Sequence, residues 1–173
     1  MKQESDIQYY PGVSAEKLFS VFQEPKFYET RCELLNIDNY KLKQCEPQNN
    51  QFVVKLQSDV DIPSDKLPKI ARSFLGEQLE SLITTRWKLS EDEPYTANYE
   101  IEINKLPVEI NGKMVLNNTD EGCQNLVSVE VESSIPFVGG KVEDMMAKYF
   151  IKALEKDRKA ILVYLSQVEA VNG

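Results

Sequence analysis

Three pairs of carboxylates stand two residues apart: Asp59 and Asp61, Glu100 and Glu102, Glu130 and Glu132. Two acids on one strand face can hold a hard cation or share proton-transfer work. In each segment, however, alternation puts the acids opposite the apolar row, in solvent. There they balance Arg86, Lys88 and Lys113 across strands, at about 0.2–1 kcal/mol per pair. The chain contains no histidine, which removes His-dependent triads, His bases and His-ligated zinc. Cys32, Cys45 and Cys123 form no C-x-x-C pair and read as reduced, small apolar residues. Phe137-Val138-Gly139-Gly140-Lys141 lacks the spacing of a phosphate loop, with Val142 where Ser or Thr belongs. Its glycines read as a turn from strand into helix. No catalytic residue, metal site or cofactor follows from these groups.

Other groups fall on faces that should be buried. Ser58, Ser81, Thr85, Tyr99 and Ser133 interrupt otherwise apolar rows. A buried hydroxyl without a partner costs about 1–3 kcal/mol. These hydroxyls therefore either bond to nearby backbone or line a cavity and orient a ligand. Met145, Met146, Tyr149 and Phe150 share a helix face, either as plain core or as an adaptable wall around an apolar ligand.

The elements that must position these groups follow from periodicity. A short strand, Ser5–Tyr10, is closed by Pro11-Gly12. Ser14 caps one short helix and Pro25 opens another, which ends near Asn36. Tyr40 and Leu42 begin a second strand; Phe52 to Val60 alternate in a third. Ser64 and Asp65 cap a short helix with Pro68, Ile70, Ala71, Phe74 and Leu75, stopped by Gly76. Four more alternating rows follow. They are Leu79, Ser81, Ile83, Thr85, Trp87 and Leu89; Tyr95, Ala97, Tyr99, Ile101 and Ile103; Val108, Ile110, Gly112, Met114 and Leu116; and Val127, Val129, Val131, Ser133 and Ile135. A strict period of two sets one face on a core and the other in water. Asn111-Gly112 could turn a hairpin, but the inward row continues through it, so Gly112 marks a bulge or a close approach of another backbone. From Val142 to Val168, apolar spacings of three and four predict one amphipathic helix of roughly 30 residues, about 45 Å long.

With 173 residues and 42% hydrophobic residues, the chain reads as a single domain, ordered over about residues 5–168. Its net charge of −8 argues against nucleic acid and anionic membrane surfaces as partners. The polar start, Met1–Tyr10, has no apolar core of a secretory signal, and no apolar run is long enough to span a membrane. A cytoplasmic location is expected.

The predicted class is α+β: a curved antiparallel seven-stranded sheet wrapped around a long C-terminal helix, with two short helices after the first strand. This order resembles the START-like, birch-pollen-allergen-like (SRPBCC) superfamily, whose fold is the helix-grip. A bacterial family of unknown function within it resembles the chain more closely. Three stretches carry that likeness. One is Leu67-Pro68 through Ile70-Ala71 and Leu75-Gly76, with Trp87 beyond. The second is Leu106-Pro107-Val108 with Asn111 to Leu116, and the third runs from Ile135-Pro136 to Glu143. The resemblance implies a fold and a cavity between sheet and helix, but no reaction. The expected ligand is an apolar or aromatic small molecule or a lipid. Ile83, Thr85, Trp87, Tyr99, Ile101, Met114 and Leu116 on the strands, with Met145, Met146 and Tyr149 on the helix, are the expected lining. Two alternatives stand beside this one. One is a cyclase- or dehydratase-like enzyme using Tyr99, Thr85 or an inward acid. The other is a protein-interaction domain with a filled core.

Overall fold

Alternation of apolar and polar residues becomes seven strands, β1 (Lys2–Pro11), β2 (Tyr40–Gln48), β3 (Gln51–Val60), β4 (Leu79–Lys88), β5 (Tyr95–Ile103), β6 (Val108–Thr119) and β7 (Gly122–Ser133). The computed structural model describes residues 1–62, 64–74 and 79–172. All neighbouring strands pair antiparallel in one sheet of order β1-β7-β6-β5-β4-β3-β2. The first strand thus leaves its sequence neighbours and pairs with the last, Lys2 opposite Val131 and Pro11 opposite Gly122. Between β2 and β3 the chain turns on Asn49 and Asn50, both at positive φ, the backbone that a tight two-residue hairpin requires.

The connection from β1 to β2 holds α1 (Ala15–Val21) and α2 (Pro25–Leu34). The Ser14 hydroxyl accepts the Lys17 N–H at 3.1 Å and caps α1, and Pro25 opens α2. The expected helix after β3 is divided instead into a 3-10 turn, Ser64–Lys66, and a four-residue helix α3 (Lys69–Arg72). Pro68 stands at the junction in extended backbone, as a residue without an N–H cannot carry a helix through. Only Ala71 of α3 is buried; Ile70 and Phe74, expected on the apolar face, are exposed. Leu75 and the Gly76 stop lie outside the described residues.

The C-terminal helix, α4, runs Gly139–Asn172, about 51 Å at 1.5 Å per residue. The turn leading into it differs from expectation. Its left-handed residue is Phe137, with φ 67° and a side chain 99% exposed, rather than either glycine. Glu143 of α4 accepts the Ser133 N–H at 3.0 Å and so ties the helix to the end of β7. This bond, followed by the nearby Met1 amino group, holds its carboxyl below the usual range.

Two clusters make up most of the core. Phe19, Phe22, Phe27, Trp87, Tyr95 and Leu116 pack with Ile161, Tyr164 and Leu165 of the C-terminal half of α4. Ile62, Leu67, Leu106, Ile110 and Val131 pack with Val142 and Met146 of its N-terminal half. Tyr99, Val127 and Leu154 form a small third group between them. On the opposite face of the sheet, Val53 and Thr84 are also buried. Thr84 pairs with Lys55 and Glu100, and Arg86 reaches Glu100 at 2.9 Å, so long side chains cover it. The other acid pairs face outward as expected: Glu130 accepts from Gln3 and Asp59 from Asn39.

Strand β6 continues unbroken through Asn111-Gly112, with Gly112 opposite Tyr99 and Val129. The Tyr99 phenol lies against this glycine and donates to the Ser128 carbonyl at 2.5 Å. A Cβ at position 112 would overlap both the Ser128 carbonyl oxygen and the Tyr99 hydroxyl. Gly112→Ala is therefore expected to lower stability by about 1–3 kcal/mol or more, as overpacking does. Adding Tyr99→Phe should not restore it, because the carbonyl remains in the way. Urea unfolding measures both variants, and a wild-type midpoint for Gly112→Ala would contradict this geometry.

Candidate functional site

Along the strands, the Trp87 row belongs to one core cluster and the Ile110 row to the other. Between and beside them the sheet is not fully covered. Helix α4 makes its closest approaches to β1, β7 and α2 and reaches β5 through Phe150 on Tyr99, with a space left over the middle of β3, β4 and β5. A cavity of about 160 Å3 occupies that space. Its floor is Val54 and Leu56 of β3, Ile83, Thr85 and Trp87 of β4, Tyr99 and Ile101 of β5, Met114 of β6, and Asn125 and Val127 of β7. Phe22, Phe27, Tyr28 and Arg31 close it from the side of α2. Phe150, Leu154, Asp157 and Ile161 close it from α4, and their spacing of four, three and four puts them on one helix face.

Ile83, Thr85, Trp87, Tyr99, Ile101 and Met114 thus stand around one space. The structure places the other expected residues elsewhere. Leu116 is fully buried among Tyr95, Phe19 and Trp87. Met146 is packed core and Met145 lies half-buried against the same cluster. Tyr149 is half-buried, and burial and then the charge of Asp61 push its pKa up. The reason is registry: the cavity lies under the turns of α4 from Phe150 to Ile161, just beyond these residues. One signal in the sequence marks its position. Asp157 interrupts the stripe of Phe150, Leu154 and Ile161 with a charge.

Two amides belong to the site that alternation alone does not single out. Gln8 and Asn125 are direct cross-strand partners on the inner face. Both line the cavity, at 4% and 2% exposure. The Gln8 Nε2 donates to the Leu154 carbonyl at 2.8 Å, and its Oε1 accepts from the Tyr10 hydroxyl at 3.2 Å. Asn125 Oδ1 has no hydrogen-bond partner among the described residues. The inner row of β7, extended back from Val127, passes through Asn125.

The polar groups near the roof are committed to one another. Arg31 Nε donates to Asp157 Oδ1 at 2.7 Å. Burial would lower the pKa of the guanidinium, but the Asp157 carboxylate more than offsets this and the value is raised. Tyr28 donates to the Phe22 carbonyl at 2.6 Å and Tyr164 to Glu24 Oε2 at 2.6 Å. Burial raises the Tyr164 hydroxyl to about 12. The Arg31–Asp157 and Tyr164–Glu24 bonds, with Phe27 edge-on to Tyr164 at 5.3 Å, clamp α2 to α4, while the Tyr28 bond ties α2 to the end of α1. On the floor, Tyr99 stacks on Phe150 at 5.8 Å with 12° between planes. Burial raises its pKa, so the hydroxyl stays protonated and bound to Ser128. The described residues hold no group of three or more His, Cys, Asp or Glu able to bind a metal ion. None of their helices is long and apolar enough to cross a membrane.

A family model described as a protein of unknown function, DUF2505, matches residues 7–165. The chain belongs to the DUF2505 family. Solved structures share its fold. TTHA0849 from Thermus thermophilus is 15% identical, with TM-score 0.62, 94% of this chain and 99% of that one covered. Ara h 8.0201 is 16% identical with TM-score 0.60, covering 96% and 98%. A START superfamily protein from Mycobacterium smegmatis is 14% identical with TM-score 0.56, covering 96% and 97%. At these identities the likeness shows the helix-grip fold alone. None of the curated proteins compared with the chain matches it.

Within this DUF2505 chain, the Arg31–Asp157 pair is mostly buried, with side chains 17% and 24% exposed. A double-mutant cycle with Arg31→Met and Asp157→Leu should give a coupling of about 1.5–3 kcal/mol, the range for hydrogen bonds between charged groups. A coupling near zero in thermal or urea unfolding would make it a screened surface pair, and the clamp would then rest on the aromatic contacts.

Proposed function

We propose that this chain is a binding module whose central cavity holds a small aromatic or apolar molecule of about one ring. The carrying observation is the space itself: about 160 Å3, bounded mainly by apolar and aromatic side chains. An engineered apolar cavity of about 150 Å3 accommodates benzene. A sterol or phospholipid is several times larger than one ring and exceeds a space of this volume. Of the ligand classes expected from the sequence, a lipid is therefore the less favoured.

In this reading Ile83, Thr85, Trp87, Tyr99, Ile101 and Met114 contact the ligand from the sheet, and Phe150 and Leu154 from the helix. Apolar contact supplies most of the affinity, as in pockets of this kind. Two observations weigh against an enzyme. The Tyr99 hydroxyl is bound to the Ser128 carbonyl, and Asp157, the carboxylate of the lining, is bound to Arg31.

Toluene is a suitable probe. It should bind the wild-type protein, raise its melting temperature by mass action and change the emission of Trp87, the single tryptophan. Ile101→Trp should fill the space and abolish binding measured by calorimetry, with little loss of stability. If the space were closed core instead, the same substitution would overpack it and cost about 1–3 kcal/mol, and toluene would leave the wild-type melting temperature unchanged.

A further inference from the structure

We infer that the ligand carries a neutral hydrogen-bond donor, a hydroxyl or N–H on its ring, and that Asn125 is the group that receives it. This rests on the cavity reading above and narrows it. Among the lining amides, Gln8 already has both a donor contact, to Leu154, and an acceptor contact, from Tyr10. Asn125 lies directly across the strand pair from it, 2% exposed, with Oδ1 unpartnered among the described residues. A buried carbonyl oxygen without a donor is costly. Leu116 and Val127 beside it on the inner face carry no side-chain donor, and the Gln8 amide opposite donates to Leu154 and not to Asn125. The donor that completes this site comes with the ligand.

The same surroundings set the charge. An ionised carboxylate cannot donate to Oδ1, and Arg31, the cation among the described lining residues, already serves Asp157. An ammonium group would donate but would have to leave water with no anion of that lining free to meet it. A neutral phenol-like or indole-like molecule satisfies the oxygen and fits a space of this size. A site that supplies one half of a hydrogen bond discriminates strongly against an analogue that lacks the other half.

Phenol and toluene have nearly the same shape and differ in that donor. The test is calorimetric titration of the full chain with phenol, toluene, fluorobenzene and benzoate, repeated on Asn125→Leu. The wild-type protein should prefer phenol to toluene, and Asn125→Leu should reduce that preference by about tenfold or more while still binding toluene. Benzoate should not compete. Should the leucine variant fail to fold, the wild-type comparison of phenol with fluorobenzene decides, together with the side-chain amide resonance of Asn125 in NMR spectra. That resonance should move with phenol and stay in place with fluorobenzene. If toluene binds and phenol gains no preference, or the preference survives Asn125→Leu, the anchor is refuted and the cavity reading stands. If none of the ligands binds the wild-type protein, both readings fall.

Discussion

A single helix is too narrow for the sheet it serves. Seven strands spaced about 4.8 Å apart make a surface about 29 Å across, whereas a helix with its side chains is about 10–12 Å wide. Helix α4 can therefore cover two or three strands, and it covers β1 and β7. Toward β3, β4 and β5 it extends single side chains, such as Phe150 onto Tyr99, and other elements supply the rest of the cover. Aromatic residues of α1 and α2 cover one end, and the connections around Leu67, Leu106 and Ile135 cover the other. The middle is where neither reaches. The cavity is the remainder of this mismatch in width, bordered on one side by the bonds from α2 to α4.

The strand rows, the two early helices and the long final helix are legible because each is written in a repeat, of two or of 3.6 residues, and the seven-stranded helix-grip order follows. What a repeat does not contain is registry. Nothing in the spacing of Met145, Met146, Tyr149 and Phe150 says which turn of α4 lies over the centre of the sheet. Phe150 stands at the cavity and the preceding residues at the packed end. The split of the helix after β3 is written in Pro68, whose missing N–H outweighs an apolar pattern. The turn before α4 misleads for a different reason: adjacent glycines suggest left-handed backbone, but the turn places it on Phe137.

The inner face of β1 is the hardest to read. Its inward side chains near the sheet centre include Gln8, while Ile7 and Tyr9 point out and are exposed. A strand with polar residues inside reverses the usual rule, and that reversal makes sense only beside Asn125 on the neighbouring strand. Two amides facing each other under a helix are a tertiary fact, distributed over residues more than 100 positions apart in the sequence. The Tyr99–Gly112 contact is of the same kind. A missing side chain on β6 gives the phenol of β5 room to reach the backbone of β7, which locks three strands together at the edge of the cavity.

The pairing of β1 with β7 also governs the order in which the domain can assemble. Strands β2 to β7 follow one another as neighbours, and each can zip onto the last in sequence order. Strand β1 must wait, since Lys2 meets Val131 and Tyr10 meets Cys123, across a loop of more than 100 residues. Closing such a loop costs entropy before any contact offsets it, and non-local pairings of this kind slow folding. During synthesis the exposed edge of β7 and the unshielded inner face would coexist until β1 returns and α4 descends on both. The nascent chain would thus hold its stickiest surface open longest, at the side where its first strand and its last helix finally meet.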